Sequence, residues 1–257
     1  MAEAQNSGDM LSVGREWVYK ESVPDDTRLT DEEIFSGVVL PYKISYHSLL
    51  VGKSTSFDGK ECYEILHRYD NTEQVFGYAY EEEGKLYYYA LYSGIVDGFS
   101  QPLNFINDQW HLLYNWKSEV GVPSDMFWMS SWYSLGGVDT ISVNSRNFVR
   151  QTWRHVYDDG RSVSQPVVEG IGCETGFLYI LNITTNGAST LFVECRENGE
   201  CIFTADDFNV APVIDGITTV QTSPRTVTPL YDLQGRLRHN KSRRGLYVEN
   251  GRIVLAK

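Results

Sequence analysis

An all-β, antiparallel fold is predicted for this chain from three features of its 257 residues. Dipeptides that favour tight hairpin turns, such as Asp58-Gly59, Glu83-Gly84 and Asn198-Gly199, separate runs of strand-forming residues. The 17 tyrosines and the aromatic content of 13% suit pleated, half-buried strands. No helical periodicity is sustained and no fixed repeat is visible. A sandwich and an open barrel-like sheet therefore both fit, with a small C-terminal β-hairpin module.

The predicted strands share an apolar or aromatic run that is bounded by turn residues. In chain order they are expected at 14–20, 42–57, 60–69, 75–80, 85–92, 110–116, 127–133, 138–143, 148–157, 177–184, 190–195 and 201–204. The run LYYYALY at 86–92 is apolar or aromatic on both faces. Such a strand is either covered on both sides or presents an aromatic face to a ligand.

Charge divides the chain into an acidic body and a basic tail. From Arg225 onward, eight lysines and arginines oppose only Asp232 and Glu249, so the tail has a net charge of +6. Because the whole chain has a net charge of −12, residues 1–224 carry −18. The expected organisation is a disordered N terminus at 1–11, a main domain at 12–210, a linker at 211–224 and a small basic β segment at 225–257. An acidic body of this charge disfavours nucleic acid as a partner.

Short strands and tight turns are also predicted inside the tail. YDL ends at a Gln234-Gly235 turn, a polar basic loop leads to GLYV, and Asn250-Gly251 is a strong hairpin signal before RIVL. In this order the tail resembles the C-terminal sorting-type segment of exported and surface proteins of Bacteroidetes bacteria. The residues that carry the likeness are Tyr231, Asp232, Leu233, Gly235, Arg236, Gly245, Tyr247, Gly251 and Lys257. The resemblance implies recognition by export machinery and an extracellular or outer-membrane location.

Two further features bear on this resemblance. Residues 168–172 (VEGIG), followed by Gly176, resemble a segment of uncharacterised exported proteins from the same bacteria, and their glycines predict a sharp bend. The start, MAEAQNSGDM, has neither a basic region nor an apolar region, so the native signal peptide is presumed missing from this chain. No apolar run is long enough for a transmembrane segment.

The candidate binding residues are four tryptophans in the glycine-rich middle of the chain: Trp110, Trp116, Trp128 and Trp132. Aromatic faces stack on the apolar faces of sugars and on peptide side chains, so these residues are candidates for a glycan- or protein-binding surface. The alternative is a tryptophan-rich core beneath long loops.

A disulfide between Cys195 and Cys201 depends on the register of their hairpin. A two-residue turn at Asn198-Gly199 would place the two sulfur atoms on opposite faces, whereas a three-residue turn would place the cysteines opposite each other. Both registers are open to this sequence, and the alternative to a bridge is a pair of free thiols.

No catalytic residue, metal site or cofactor is predicted. The sequence lacks the nucleophile elbow, the zinc-protease motif, the phosphate loop and the dinucleotide fingerprint. Cys173 lies in a glycine-rich bend and is more simply structural, and His47, His67 and His111 are interpreted as packing or surface residues. The acidic pairs at 25–26, 158–159 and 206–207 lie in turn-like sequence, where solvated carboxylates are ordinary.

These observations favour a non-catalytic exported or cell-surface β-protein that binds glycan or protein through aromatic loops. Two alternatives remain at this point. One is a secreted hydrolase whose carboxylates are scattered in sequence, and the other is a structural component of the cell envelope.

Overall fold

A computed structural model describes residues 10–25, 42–92, 95–96, 99–100, 108–178, 189–213, 230–232, 237–238, 245–249 and 252–256. Within these ranges the chain is all-β and antiparallel, as predicted. No helix of the described residues is long and apolar enough to cross a membrane.

The structure has eighteen strands and one 3₁₀ helix among these residues. The strands are β1 (Arg15–Pro24), β2 (Tyr42–Phe57), β3 (Lys60–Tyr69), β4 (Thr72–Glu82), β5 (Lys85–Ala90), β6 (Ile95–Val96), β7 (Phe99–Ser100), β8 (Trp110–Asn115), β9 (Ser134–Val143), β10 (Arg146–Val156), β11 (Ser162–Val168), β12 (Gly172–Cys173), β13 (Ser189–Glu197), β14 (Glu200–Thr204), β15 (Leu230–Asp232), β16 (Leu237–Arg238), β17 (Gly245–Glu249) and β18 (Arg252–Ala256), and the 3₁₀ helix is Ala205–Asn209.

The larger sheet has eight strands in the order β14-β13-β1-β2-β3-β4-β5-β8 and curls into a half-barrel. Three of its hairpins turn at the predicted dipeptides, and the hairpin between β3 and β4 turns at Asp70-Asn71, which was not predicted. Asp58 and Asn198 adopt positive φ angles of 50° and 52° beside glycines that also have positive φ, the backbone that two-residue hairpin turns require. The first strand, β1, lies inside the sheet between β13 and β2, so the two ends of the body meet there.

A smaller sheet, in the order β12-β11-β10-β9, shares one hydrophobic core with the larger sheet. The largest fully buried side chains of this core come from both sheets and from the bend after β12. They include Trp17, Tyr88, Phe148, Trp153 and Phe177. In the run LYYYALY, Leu86, Tyr88 and Ala90 enter this core, while Tyr87 and Tyr89 lie on the opposite face.

Polar side chains of the larger sheet fix the glycine-rich bend at 168–176. Arg15 Nη1 donates to the carbonyl of Gly170 over 2.9 Å, and Trp17 Nε1 donates to the carbonyl of Ile171 over 2.7 Å. Tyr114 Oη accepts from the backbone N–H of Cys173 over 3.1 Å. The bend therefore obtains buried hydrogen-bond partners from β1 and β8, which gives residues 168–172 a structural role in this fold.

The edge strand β8 is covered by the segment that follows it. Phe127 N–H donates to the carbonyl of Leu112 over 2.9 Å, and Trp128 Nε1 donates to the carbonyl of Leu113 over 2.8 Å. Gln151 Nε2 donates to the carbonyl of Asn115 over 3.1 Å. Occupying these carbonyls prevents another strand from pairing there.

Several predicted boundaries are corrected by the structure. Met10 and Leu11, assigned to a disordered N terminus, are buried in the core. Residues 127–133 form turns and not a strand, and β11 was missed. At the other end, Pro212 bridges to Ile141, so the body continues into the predicted linker.

The tail is a compact unit of its own, Ile214–Lys257, distinct from the unit Met1–Val213. Its described strands form a four-stranded antiparallel sheet in the order β16-β15-β17-β18. This confirms the predicted small C-terminal β module as a fold.

Candidate functional site

The four candidate tryptophans do not form one surface. Trp116 stacks on Tyr114, with ring centroids 5.2 Å apart, and Trp128 meets the same ring edge-on at 5.9 Å. Both are half-buried and pack against the core. For these two residues the structure therefore favours the tryptophan-rich core that the sequence left open.

Trp110 belongs to an aromatic cluster on the outer face of the larger sheet. It meets Tyr80 and Tyr89 edge-on, with centroids 4.7 and 5.4 Å apart, and its Nε1 donates to Asp58 Oδ2 over 3.0 Å. Phe57 stacks on Tyr78 at 4.0 Å beside it. Tyr80 and Tyr89 are only 8% and 9% exposed, so the rings of this cluster mostly shield one another from solvent.

Trp132 is the exposed member of the set, with 76% of its surface accessible. The turn that carries it is well defined. Its backbone N–H donates to Ser130 Oγ over 3.3 Å, and the N–H of Tyr133 donates to the Ser130 carbonyl over 3.0 Å. A large aromatic side chain is thus held in solvent by a hydrogen-bonded turn, where its ring face is available for stacking.

His155 on β10 and Tyr157 just after it lie next to Trp132. The rings of Trp132 and His155 are 6.0 Å apart at 29°, and His155 meets Tyr157 edge-on at 4.4 Å. The Arg161 guanidinium lies 5.6 Å from the centre of the Tyr157 ring and is paired with Asp159. We call Trp132, His155, Tyr157 and Arg161 the Trp132 surface.

The polar groups of the Trp132 surface are oriented. The His155 Nδ1 lies 3.1 Å from the carbonyl of Trp132, which fixes Nδ1 as the donor and leaves Nε2 as the acceptor of the neutral ring. The Tyr157 hydroxyl can donate and accept, and the guanidinium of Arg161 has five N–H donors, of which Asp159 accepts one through Nε. The surface therefore combines a stacking ring with both donors and acceptors for hydroxyl groups.

A buried polar line on the inner side of the larger sheet was not anticipated from the sequence. His47 Nε2 lies 3.0 Å from Glu21 Oε2, and His47 Nδ1 lies 3.1 Å from His67 Nε2. Ser45 Oγ donates to the same Glu21 oxygen over 2.9 Å. The interpretation of His47 and His67 as packing residues accounts for their burial but not for this shared hydrogen-bond line.

The cysteine hairpin adopts the two-residue register. Glu197 pairs with Glu200 across Asn198-Gly199, and a bulge then sets Cys195 opposite Phe203. Cys195 is buried, Cys201 is exposed, and both thiols are free, so the proposed disulfide is not formed. Burial raises the pKa of the Cys195 thiol to about 12.

Cys173 is fully buried in the bend, where its thiol lies 3.1 Å from Thr175 Oγ1. Burial raises its pKa, so the thiolate that a nucleophile needs is disfavoured. The phenols of Tyr19 and Tyr114 lie beside it, and burial raises their pKa values as well, so they stay protonated. A structural role is the consistent interpretation.

The acidic pairs serve local structure where they are described. Asp159 pairs with Arg161, and Asp207 Oδ2 accepts from the backbone N–H and the hydroxyl of Thr204 at the start of the 3₁₀ helix. No group of three or more His, Cys, Asp or Glu side chains within the described ranges is placed to hold a metal ion.

The tail residues that resemble a sorting segment are described only in part. Tyr231 and Asp232 lie on β15, and Gly245 and Tyr247 lie on β17. The remaining residues of that set, Leu233, Gly235, Arg236, Gly251 and Lys257, lie outside the described residues.

Comparison with protein-family models, with curated proteins and with solved structures finds no match to this chain.

Proposed function

We propose that this chain is a non-catalytic, exported glycan-binding protein whose body contacts its ligand through the Trp132 surface. The observation that carries the proposal is the 76% exposure of Trp132 on an ordered turn beside His155 and Tyr157.

The contrast with the other tryptophans supports this assignment. Trp116 and Trp128 pack against Tyr114, and Trp110 is engaged by Tyr80, Tyr89 and Asp58. Exposure of the apolar indole ring to water is unfavourable. Stacking of the ring on the apolar face of a sugar would remove this surface from water.

The neighbouring groups suit the hydroxyls of a saccharide. Each hydroxyl is a donor and an acceptor, and the Trp132 surface offers His155 Nε2 as an acceptor, the Tyr157 hydroxyl as either, and Arg161 as a donor. The net charge of −18 on residues 1–224 favours neutral glycans over anionic polymers.

Export is proposed from the tail. The order YDLQGR, GLYV, NGR and terminal lysine, together with its +6 charge, supports a segment that export machinery reads separately from the body. The division into the units Met1–Val213 and Ile214–Lys257 is compatible with such use. The proposed location is the extracellular space or the outer-membrane surface.

A glycan array followed by intrinsic tryptophan fluorescence titration tests the binding proposal. We expect at least one neutral glycan to bind and to change the fluorescence, and Trp132→Ala to remove the fluorescence change and to weaken the binding. Tyr42→Ala is the matched control, because Tyr42 is also an exposed aromatic residue (53%) but lies on β2. A flat array, or binding that survives Trp132→Ala and is lost in Tyr42→Ala, would sink the assignment.

The export proposal is tested by fusing residues 225–257 to a periplasmic reporter in a Bacteroidetes host. We expect the fusion to reach the cell surface or the medium, and a fusion with Tyr231, Asp232 and Gly235 all replaced by alanine to stay in the periplasm. Equal localisation of the two fusions would refute the sorting role.

A further inference from the structure

The outer face of the larger sheet contains a groove with a volume of about 410 Å³, within the range of small-molecule sites. It crosses β13, β1, β2 and β3. We call it the outer groove, and the lining residues that matter for its chemistry are Val18, Tyr46, Ser48, Arg68, Glu194 and Arg196.

Strand register places the floor and walls of the outer groove together. Val18 is paired with Ser48 on one side and with Glu194 on the other, and Ser48 is paired with Arg68. Val18 and Ser48 are 9% and 6% exposed and form a floor that is part apolar and part hydroxyl. Residues paired across strands share a face, so Arg68 and Glu194 rise from the same face as this floor.

Two guanidinium–carboxylate pairs flank the floor. Arg68 Nη1 lies 3.4 Å from Glu16 Oε1 and its Nη2 lies 2.8 Å from Glu73 Oε2, while Arg196 is paired with Glu194. Arg68 uses three N–H donors in these contacts and in the Nε bond to Glu73, and a guanidinium has five. Donors therefore remain beside carboxylate oxygens that can accept.

The carboxylate of Glu194 is kept ionised. Burial alone would raise its pKa, but the hydrogen bond from the Cys201 thiol and the Arg196 guanidinium together lower it. Tyr46, with 59% of its surface exposed, adds an aromatic wall to the same groove.

We propose that the outer groove binds a neutral saccharide unit, with Tyr46 against the sugar ring and the Arg68 and Arg196 ion pairs against its hydroxyls. A sugar hydroxyl can accept a hydrogen bond from a remaining arginine N–H and donate one to a carboxylate oxygen, and neither ion pair is broken. An anion, or the carboxylate end of a zwitterion, would be repelled by the carboxylates that already pair with both guanidinium groups. The lining carries the two guanidinium groups of Arg68 and Arg196 against the three carboxylates of Glu16, Asp70 and Glu194, so it disfavours anions, while its donors and acceptors suit hydroxyls.

This inference rests on the proposed glycan-binding function and adds a second contact on a different sheet. Trp132 directly precedes the smaller sheet, whereas the outer groove is built wholly from strands of the larger one. The two can therefore be tested independently.

The test is a titration of the ¹⁵N-labelled full chain followed by amide spectra. The neutral probes are the methyl glycosides of glucose, galactose and mannose, and the charged comparators are sodium glucuronate and glycylglycine. We expect a neutral glycoside to shift the amides of Val18, Ser48 and Glu194, and Arg196→Gln to weaken binding about tenfold. Tyr46→Ala is a second groove variant at an exposed position, and Arg154→Gln is a matched arginine control outside the groove.

Silent groove amides with every neutral glycoside, or stronger binding of glucuronate or glycylglycine, would overturn the inference. If the array signal is lost in Trp132→Ala while the groove amides stay silent, the proposed function stands and the groove assignment fails. If the groove responds and Trp132→Ala changes nothing, the groove assignment stands and the Trp132 surface fails.

Discussion

Trp17 Nε1 donates a 2.7 Å hydrogen bond to the carbonyl oxygen of Ile171, 154 residues later in the chain. Both groups are buried, and the bond ties the first strand of the larger sheet to the bend that ends the smaller one. The two sheets are joined at this point by a directional contact as well as by the apolar core.

Trp17→Phe should destabilise the body by about 3 kcal/mol, since it leaves the Ile171 carbonyl unsatisfied and opens a cavity. Urea unfolding followed by circular dichroism measures this. Trp132→Phe, at an exposed site, is the control and should change the free energy of unfolding by less than about 0.5 kcal/mol. Equal effects of the two substitutions would contradict the buried role of Trp17.

Gly172→Ala should prevent the native bend from forming. Gly172 has a φ of +111°, and a Cβ there would lie 2.3 Å from the Gly176 carbonyl oxygen and 2.9 Å from Tyr114 Oη. We expect a loss of more than about 3 kcal/mol, or no soluble folded protein. Gly160 has a φ of +82°, but a Cβ added there would meet no atom within 4 Å. Gly160→Ala should therefore lower the free energy of unfolding by only about 1 kcal/mol. Thermal unfolding of the pair separates backbone strain from steric clash.

Glu197 should make stability depend on acidic pH. Hydrogen bonds from Arg146, and then from Arg15, hold its pKa below the usual value although burial opposes them. A lowered folded-state pKa means that the unfolded chain binds the proton more readily. This contribution is therefore present above about pH 4.3, the ordinary glutamate pKa, and is lost as the pH falls further.

Glu197→Gln should therefore cost about 2 kcal/mol at pH 7, because the buried Arg15 loses its carboxylate partner. The difference from the parent protein should shrink below about pH 4. Glu200→Gln is the control, at an exposed position of the same hairpin. A pH-independent effect of Glu197→Gln would argue against the ion pairs as its source.

Alkylation should distinguish the four cysteines. Cys201 is exposed and should react with iodoacetamide first. Partial burial and Glu194 raise its pKa, so the reaction should need alkaline pH and should accelerate as the thiolate forms. Cys62, Cys173 and Cys195 are buried and should react only in denaturant. Peptide mapping by mass spectrometry gives the sites, and Cys201→Ser should remove the native signal. Recovery of a linked Cys195–Cys201 peptide after mild oxidation would show that the hairpin register shifts.

A chain ending at Val213 should keep the melting temperature of the full protein within a few degrees, since residues 1–213 form one compact unit. A chain ending at Thr204 is the informative comparison. It removes Phe208 from the core and the Phe208 and Val210 carbonyls that accept from Arg150. We expect the shorter chain to lose about 3 kcal/mol or more. Similar melting curves for the two truncations would place the body boundary before the 3₁₀ helix.

Local turn chemistry made much of the fold predictable. Asp58-Gly59, Glu83-Gly84 and Asn198-Gly199 each turn a hairpin where expected, because the positive φ angles they adopt are ones that few other dipeptides tolerate. The strand β11 was missed since Pro166 interrupts its pattern, although Pro166 pairs with Thr152 in the sheet.

Contacts set by register were not predictable. An unbroken hairpin from Phe57–Lys60 would place His47 and His67 on opposite faces of the sheet. The bulge between Val51 and Ser54 shifts the pairing by one residue, so that His47 meets Tyr69 and shares a face with His67. The prediction of one surface formed by the four tryptophans was wrong for a related reason. Their spacing in the sequence gave no information on which of them would be buried.

The position of β1 between β13 and β2 has a consequence for the order of folding. Strands β2 to β5 can pair as successive hairpins while the chain emerges, but one edge of β1 stays open until residues 189–197 have been made. Such distant pairing is slow, and an unpaired strand edge invites pairing with other chains. Pairing of β13 with β1 therefore closes the larger sheet late in synthesis, and a chain stopped before residue 189 would leave one edge of β1 unpaired.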